Sequence, residues 1–162
     1  MNIIVAADSK WGIGNKGKLP ISIPAERKMF REETLGKVLV LGRKTLETYP
    51  AGLPLPERTT IVLSSKKDYS VKGAKVVHSI DELMEELQQY DTQDVYIGGG
   101  ESIFRQLLPY VDKVHVARID KEYEADAFFE DLDKCEEWKV VAESDEQVYF
   151  DVTYEYICYQ RC

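Results

Sequence analysis

A single carboxylate interrupts an apolar helix face near the start of the chain. A helix beginning at Pro24 turns by about 100° per residue. On it, Glu26 lies between Met29 and Phe30, and the basic residues lie on the opposite side. A buried carboxylate is costly, so it pairs with a cation, shifts its pKa or binds a polar ligand. Glu33 shares this side of the helix, so the pattern alone leaves both acids, and simple ion pairing, open.

Basic and hydroxyl side chains follow two predicted strands at the point where each strand ends. One strand leads into Gly42-Arg43-Lys44-Thr45 and another into Ser64-Ser65-Lys66. Open α/β sheets bind ligands beyond the carboxyl ends of their strands. This combination suits a terminal phosphate dianion, with Arg43 as its bidentate partner. An ordinary solvated loop would have a similar composition, so each turn alone is a weak signal.

A third predicted strand ends differently, in three consecutive glycines. Residues 95–97 lead into Gly98-Gly99-Gly100 and then into a predicted helix. Bare backbone lets a ligand approach closely, and the first amides of a helix can meet a pyrophosphate. Together with the two basic turns, this strand end favours a nucleotide site.

The segment Gly12-Ile13-Gly14-Asn15-Lys16-Gly17 has the glycine spacing of a dinucleotide-binding fingerprint. That fingerprint requires a helix directly after the glycines. Here Pro20 and Pro24 exclude a helix from the intervening residues. We expect instead a flexible loop from the first strand to the Glu26 helix, of the kind that closes over a site.

Apolar β-branched runs alternate with helical patterns over the first two thirds of the chain. We predict strands at 2–7, 38–41, 60–63, 75–77, 95–97 and 114–119, two more between 138 and 159, and helices at 24–35, 80–90 and 101–108, with a short turn after Arg43. This order predicts an α/β fold with a mostly parallel central sheet, antiparallel C-terminal edge strands and flanking helices. A single domain over residues 1–162 is expected.

The charge balance disfavours several classes of partner. A net charge of −8 argues against nucleic-acid and anionic-membrane surfaces. No apolar run of about 18 residues and no leader-like start occurs, so a cytoplasmic protein is expected. Cys135, Cys158 and Cys162 lack metal-type spacing and should be free thiols. His78 and His115 lie far apart in the sequence, so we expect structural histidines and no metal site.

From Ile3 to Tyr159, the chain resembles the dihydrofolate reductase family. The segments that carry the resemblance are Val5-Ala6-Ala7, residues 14–20, Ile23-Pro24-Ala25-Glu26 with Phe30, Gly42-Arg43-Lys44-Thr45, Leu55-Pro56-Glu57-Arg58, Leu63-Ser64-Ser65, Ile97-Gly98-Gly99-Gly100 with Ile103-Phe104, and Glu124-Ala125-Asp126 ahead of Phe129. The resemblance implies an NADPH-dependent oxidoreductase of one-carbon metabolism that reduces 7,8-dihydrofolate to tetrahydrofolate. It also implies a monomeric antifolate target whose partner is a small molecule.

The resemblance implies a role for each matched residue. Glu26 would be the catalytic acid, holding the pterin amidine edge and promoting protonation, and Arg58 would pair with the α-carboxylate of the glutamate tail. The substrate site would comprise Val5, Ala6, Ile21, Glu26, Phe30, Tyr49, Leu55, Arg58 and Ala117. The NADPH site would comprise Ala7, Ile13, Gly14, Gly42, Arg43, Lys44, Thr45, Leu63, Ser64, Ser65, Lys66, Gly98, Gly99, Gly100, Glu101, Ser102, Ile103 and Phe104. The Gly99–Gly100 peptide is expected to be cis, as in the family.

Two positions depart from the family pattern. Ile21 stands where the family usually has a tryptophan, and Ala117 where it usually offers a threonine hydroxyl to the acid. Without these polar groups, the pKa of Glu26 is expected to rise. Two alternatives remain: a pyrimidine reductase of the same fold, and a non-catalytic nucleotide-binding module. Arg58 and the apolar slot argue against the first, and the retention of Glu26 argues against the second.

Overall fold

Strands and helices alternate along the chain, and the computed structural model describes all residues from 1 to 162. The strands are β1 Asn2–Ala7, β2 Gly12–Gly14, β3 Val38–Gly42, β4 Thr59–Leu63, β5 Ala74–Val77, β6 Val95–Ile97, β7 Lys113–Ile119, β8 Ala127–Phe128, β9 Trp138–Glu143, β10 Gln147–Tyr149 and β11 Val152–Arg161. The helices are α1 Pro24–Thr34, α2 Arg43–Glu47, α3 Ile80–Leu87 and α4 Glu101–Leu107. Short 3-10 segments occur at Pro50–Gly52, Thr92–Asp94, Leu108–Tyr110 and Leu132–Lys134.

Nine strands form one sheet in the order β10-β11-β7-β1-β6-β3-β4-β5, with β9 also pairing with β11. Every pair from β7 to β5 is parallel. Strand β11 runs antiparallel to β7, β9 and β10. The predicted mostly parallel sheet with an antiparallel C-terminal edge is therefore confirmed. The prediction of two strands after residue 138 is wrong, because β10 is a third, three-residue strand.

Helices α1 and α2 cover one face of the large sheet, and α3 and α4 cover the other. Along β3, Val40 belongs to a cluster of 26 buried residues that includes Leu107 of α4. Its neighbour Leu41 packs instead with Leu46 of α2 and Phe30 of α1. This alternation follows from the two-residue period of a strand. Since both faces are buried, the parallel strands read as continuous apolar runs in the sequence.

The segment between β1 and α1 is only partly a loop. Gly12–Gly14 form β2, which pairs with β8 in a separate two-stranded sheet. The prediction of a loop is wrong for these residues, because so short a glycine-containing strand shows no alternation that could reveal it. Lys16 and Gly17 have φ angles of 51° and 79° in a tight turn. No helix forms before Pro24, which confirms the rejection of the dinucleotide fingerprint.

Candidate active site

The two acids on α1 have different surroundings. Glu26, in the first turn, is 9% exposed, whereas Glu33 is exposed. No hydrogen bond or ion pair of the protein involves the Glu26 side chain. Burial raises the pKa of Glu26, and the positive charge of Arg27 opposes this effect only in part. The ion-pairing alternative is therefore wrong for Glu26, and the burial pattern favours Glu26 over Glu33 as the functional acid.

The sheet under the N-terminal end of α1 contributes few polar groups. Ala117 of β7 is paired with Ala6 of β1 and with Tyr156 of β11. Because Ala117 and Tyr156 are directly opposite in an antiparallel pair, their side chains share one face of the sheet. Burial, Tyr154 and then the charge of Glu26 raise the pKa of Tyr156 to about 12. A neutral tyrosine hydroxyl therefore lies within the electrostatic reach of the acid.

Apolar side chains lie on the α1 and α2 side of the sheet. Phe30 and Tyr49 pack against the cluster formed under α1 and α2. Burial raises the pKa of Tyr49 to about 12, although the nearby charge of Arg58 opposes it. Leu55 is half-buried in the connection before β4. These groups provide the apolar lining that a flat aromatic ligand requires.

Two further residues of the predicted substrate site lie at its margins. Ile21, on the segment leading to α1, packs against the cluster that contains Ile23 and Tyr154. Val5 points to the opposite face of the sheet and packs in the same cluster as Ile103 and Phe104 of α4. At β1, the side of the sheet facing α1 therefore presents Ala6 rather than Val5.

Arg58 is anchored at the C-terminal end of α1. Its Nε donates to Thr34 Oγ1 at 3.1 Å, its Nη1 donates to the Pro56 carbonyl at 2.6 Å, and its Nη2 donates to the Arg31 carbonyl. These bonds fix the plane of the guanidinium and leave other N–H groups for a ligand carboxylate. Arg58 is therefore built into the fold rather than being a free surface arginine.

The glycine turn is attached to the end of β3. Gly98 N donates to the Val40 carbonyl at 2.9 Å, and Gly42 N donates to the Gly99 carbonyl at 2.8 Å. The Gly99–Gly100 peptide is cis, which confirms that expectation. A Cβ atom on Gly98 would stand 3.7 Å from the ring of Phe30. The turn is therefore next to α1, the helix that carries Glu26.

Side chains on the glycine turn would crowd the space between this turn and α2. Gly99 has a φ angle of 121°, and a Cβ atom on Gly100 would stand 3.2 Å from Thr45 Oγ1. Thr45 Oγ1 makes no hydrogen bond within the chain. Bare backbone and a free hydroxyl at a strand end are the features that receive a nucleotide phosphate.

The predicted basic residues gather at the same edge of the sheet. The register of β3 and β4 ends with Gly42 opposite Leu63, and Arg43 and Ser64 are the residues that directly follow this last pair. Arg43 Nη1 donates to Glu47 Oε1 at 2.7 Å, and the buried Ser64 Oγ accepts a hydrogen bond from Lys66 N at 3.1 Å. The remaining predicted residues lie on neighbouring elements: Ala7 on β1, Ile13 and Gly14 on β2, Leu63 on β4, and Glu101, Ser102, Ile103 and Phe104 on α4, with Lys44 and Ser65 exposed nearby.

Two aspartates for which the sequence predicted no role organise the segment after β1. Asp8 is 1% exposed, and its carboxylate accepts hydrogen bonds from Lys10 N and Gly12 N at 2.8 Å and from Tyr123 N at 3.0 Å. Asp126 Oδ2 accepts a hydrogen bond from Lys16 N at 3.0 Å. Asp8 directly follows β1, and its side chain accepts a hydrogen bond from the amide two residues further on, as in an Asx turn. An aspartate at a strand end is a sequence signal for such a turn, and this signal could have identified Asp8.

These features are those of a nucleotide-dependent α/β enzyme that acts on a small, flat ligand. Residues 1–161 match the family described as Dihydrofolate reductase. A dihydrofolate reductase of Enterococcus faecium is 43% identical over 129 residues, covering 79% of this chain and 76% of the relative. A type A13 dihydrofolate reductase of Escherichia coli is 34% identical over 159 residues, covering 98% of this chain and 93% of the relative.

A solved structure agrees with this match in fold. The dihydrofolate reductase of Enterococcus faecalis, complexed with NADP(H) and RAB-propyl, has a TM-score of 0.88 and 36% identity, and the match covers 99% of this chain and 95% of that one. The chain belongs to the dihydrofolate reductase family. The resemblance and the fold class predicted from the sequence are thereby confirmed.

Proposed function

We propose that this protein catalyses the NADPH-dependent reduction of 7,8-dihydrofolate to 5,6,7,8-tetrahydrofolate and so serves one-carbon metabolism. The observation that carries the proposal is the buried, unpaired carboxylate of Glu26 beside a half-buried apolar slot. Family membership over residues 1–161 supports the reaction. It disfavours both a pyrimidine reductase and a non-catalytic module.

Glu26 would bind the pterin ring by its polar edge. Its two oxygens can accept two parallel hydrogen bonds from the amidine N–H groups, and such charge-assisted pairs are strong in a dry site. The same bonds orient the ring against Phe30 and Tyr49. By holding negative charge next to the pterin, Glu26 promotes protonation of the ring nitrogen that neighbours the hydride acceptor.

The residues at the carboxyl edge of the sheet fit an NADPH molecule. A side chain at Gly100 would close the gap to Thr45, so the absence of a Cβ there leaves room for phosphate oxygens. Arg43, Thr45 and Ser64 would hold the adenosine 2′-phosphate side, and the turn at Gly99 and Gly100 the pyrophosphate side. When bound, NADPH supplies the hydride that reduces the pterin.

The direct test follows NADPH absorbance after dihydrofolate is added. Wild-type protein should oxidise NADPH, and Glu26→Gln should slow the reaction by about 100-fold or more, the usual contribution of an acid–base group. Glu33→Gln changes an exposed acid on the same helix and is the matched control, expected to retain wild-type activity. Equal rates for wild type and Glu26→Gln would refute the proposal.

Arg58 separates dihydrofolate from a substrate without a glutamate tail. Arg58→Ala should raise the KM for dihydrofolate by about ten- to a hundredfold, the scale of one or two charge-assisted hydrogen bonds. Thr34→Val removes only the Nε anchor, so its effect should be smaller. If Arg58→Ala left the KM unchanged, the tail assignment would fail and the pyrimidine reductase would gain support.

We further propose that the protein acts as a cytoplasmic monomer that does not bind nucleic acid. The net charge of −8 would repel nucleic acid at long range. Cys135, Cys158 and Cys162 are all free thiols, as in a reducing compartment. None of the helices has both the length and the apolar character needed to cross a membrane.

A further inference from the structure

Glu101 is the first residue of α4 and directly follows the glycine turn. Each of its carboxylate oxygens has a different partner. Oε1 lies 3.2 Å from Nη2 of Arg105, one helical turn further on. Oε2 accepts a hydrogen bond from the backbone N–H of Phe128, at 2.6 Å. The side chain therefore connects α4 to β8, a strand outside the main sheet.

The Phe128 amide has no partner in the β2–β8 ladder. Asp126 N donates to the Gly14 carbonyl at 2.9 Å, and Phe129 N donates to the Trp11 carbonyl at 2.8 Å. The N–H of Phe128 lies between these two donors and points to the other edge of β8. Glu101 thus accepts a hydrogen bond from a backbone N–H at the edge of β8 that would otherwise have to bond to water.

The β2–β8 pair carries the segment that follows β1. Gly12 is in register with Phe128, and Asp126 Oδ2 accepts a hydrogen bond from Lys16 N. The hydrogen bond between Glu101 and Phe128, which connects β8 to α4, therefore also fixes residues 12–16 relative to the glycine turn. The Arg105 ion pair helps to hold the carboxylate in this position, although it is largely exposed and contributes little by itself.

We propose that Glu101 is a positioning residue that couples the cofactor turn to the segment 12–16. It acts through its hydrogen bond to Phe128, so binding of the nucleotide at Gly99–Gly100 and ordering of the segment stabilise each other. The inference rests on the proposed function only for the identity of the nucleotide. The hydrogen bond between Glu101 and Phe128 is itself a contact within the chain.

The experiment compares Glu101→Ala, Glu101→Gln and Arg105→Ala with the wild-type protein. Amide hydrogen exchange reports on Phe128 without turnover, and stopped-flow displacement gives the NADPH dissociation rate. Glu101→Ala should accelerate the exchange of the Phe128 amide and the dissociation of NADPH by about tenfold each, the scale of one hydrogen bond to a charged group. Glu101→Gln keeps an acceptor oxygen and should restore most of the protection. Arg105→Ala keeps the hydrogen bond and should resemble the wild type.

Two results would overturn the inference. One is unchanged Phe128 exchange and NADPH dissociation in Glu101→Ala. The other is an equal defect in Glu101→Ala and Glu101→Gln, which would assign the effect to charge at the start of α4 rather than to the acceptor. If the wild-type protein bound no NADPH, the proposed function and the coupling would fail, while the exchange of the Phe128 amide would still decide whether Glu101 holds β8.

Discussion

Glu26 is buried without a cation or a hydrogen-bond donor, and burial raises its pKa above the usual 4.5. The unfolded chain therefore releases this proton at a lower pH than the folded chain does. It follows that ionisation of Glu26 favours unfolding. The free energy of unfolding is therefore highest below the unfolded-state pKa, where Glu26 is protonated in both states. It decreases as the pH rises through the folded-state pKa. The group that we propose binds the substrate thus works against folding near neutral pH.

Glu26→Gln should therefore stabilise the protein near neutral pH, by about 1 kcal/mol or more, because a neutral amide avoids the cost of burying an ionised carboxylate. The gain over wild type should shrink as the pH falls through the folded-state pKa and vanish below the usual value of 4.5, where Glu26 is protonated in the folded and unfolded chains alike. Thermal unfolding midpoints over this pH range would measure the difference. Glu33→Gln changes an exposed acid and should show no such trend. Equal midpoints for Glu26→Gln and wild type at every pH would contradict the argument.

The side chains around Glu26 should set the pH at which the hydride step slows. Ile21→Trp and Ala117→Thr each add a donor near the carboxylate, favouring its charged form and lowering its pKa. Both variants should lose single-turnover activity at a lower pH than the wild type. Tyr156→Phe removes a hydroxyl from this face and should shift the loss to higher pH. An unchanged apparent pKa in all three variants would count against this assignment.

Among the elements, α2 carries Arg43, the charge that we propose selects the cofactor. Its i,i+4 pair with Glu47 holds the guanidinium just beyond the end of β3. Arg43→Ala should narrow the preference for NADPH over NADH by about ten- to a hundredfold, since charge-assisted hydrogen bonds are worth about 1.5–3 kcal/mol each. The ratio of kcat/KM for NADPH to that for NADH measures this preference. Glu47→Gln keeps the arginine and should retain the preference, whereas unchanged selectivity in Arg43→Ala would refute the role.

How well each element could be predicted depends on how clear its sequence pattern is. Strands β1 and β6 have the predicted bounds because buried parallel strands give unbroken apolar runs. The start of α3 follows its local sequence too, since Ser79 is the N-cap and its Oγ accepts a hydrogen bond from Glu82 N at 3.1 Å. Strands β2, β8 and β10 were missed because two or three residues cannot show a period and, unlike the equally short β6, these strands are not fully buried apolar runs.

The site was predictable where residue type alone carries the chemistry. An acid on an apolar helix face and basic turns after strands indicate a site without any coordinates, but burial in the structure was needed to favour Glu26 over Glu33. Contacts set by register were not predictable. The pairing of Tyr156 with Ala117 depends on how β11 aligns with β7, and the bond from Phe128 to Glu101 joins residues 27 positions apart. Local sequence patterns contain neither relationship.

At the scale of the whole molecule, β11 connects the antiparallel tail to the parallel sheet. One of its edges pairs with β7, and the other pairs with β10 and then β9. Trp11, near the site, and Trp138, at the start of β9, belong to the same buried cluster. Because the tail shares its core with the rest of the chain, we propose that residues 1–162 fold as a single domain.

A single domain should unfold in one cooperative transition, whichever part is observed. The chain has two tryptophans, so Trp11→Phe leaves Trp138 to report on the tail, and Trp138→Phe leaves Trp11 to report on the site. Within each variant, the urea midpoint from fluorescence should equal that from far-UV circular dichroism, so any change in overall stability caused by the substitution cancels. If Trp138 fluorescence changed at a lower urea concentration than the dichroism, the tail would be a separate unit and β11 would not unite the fold.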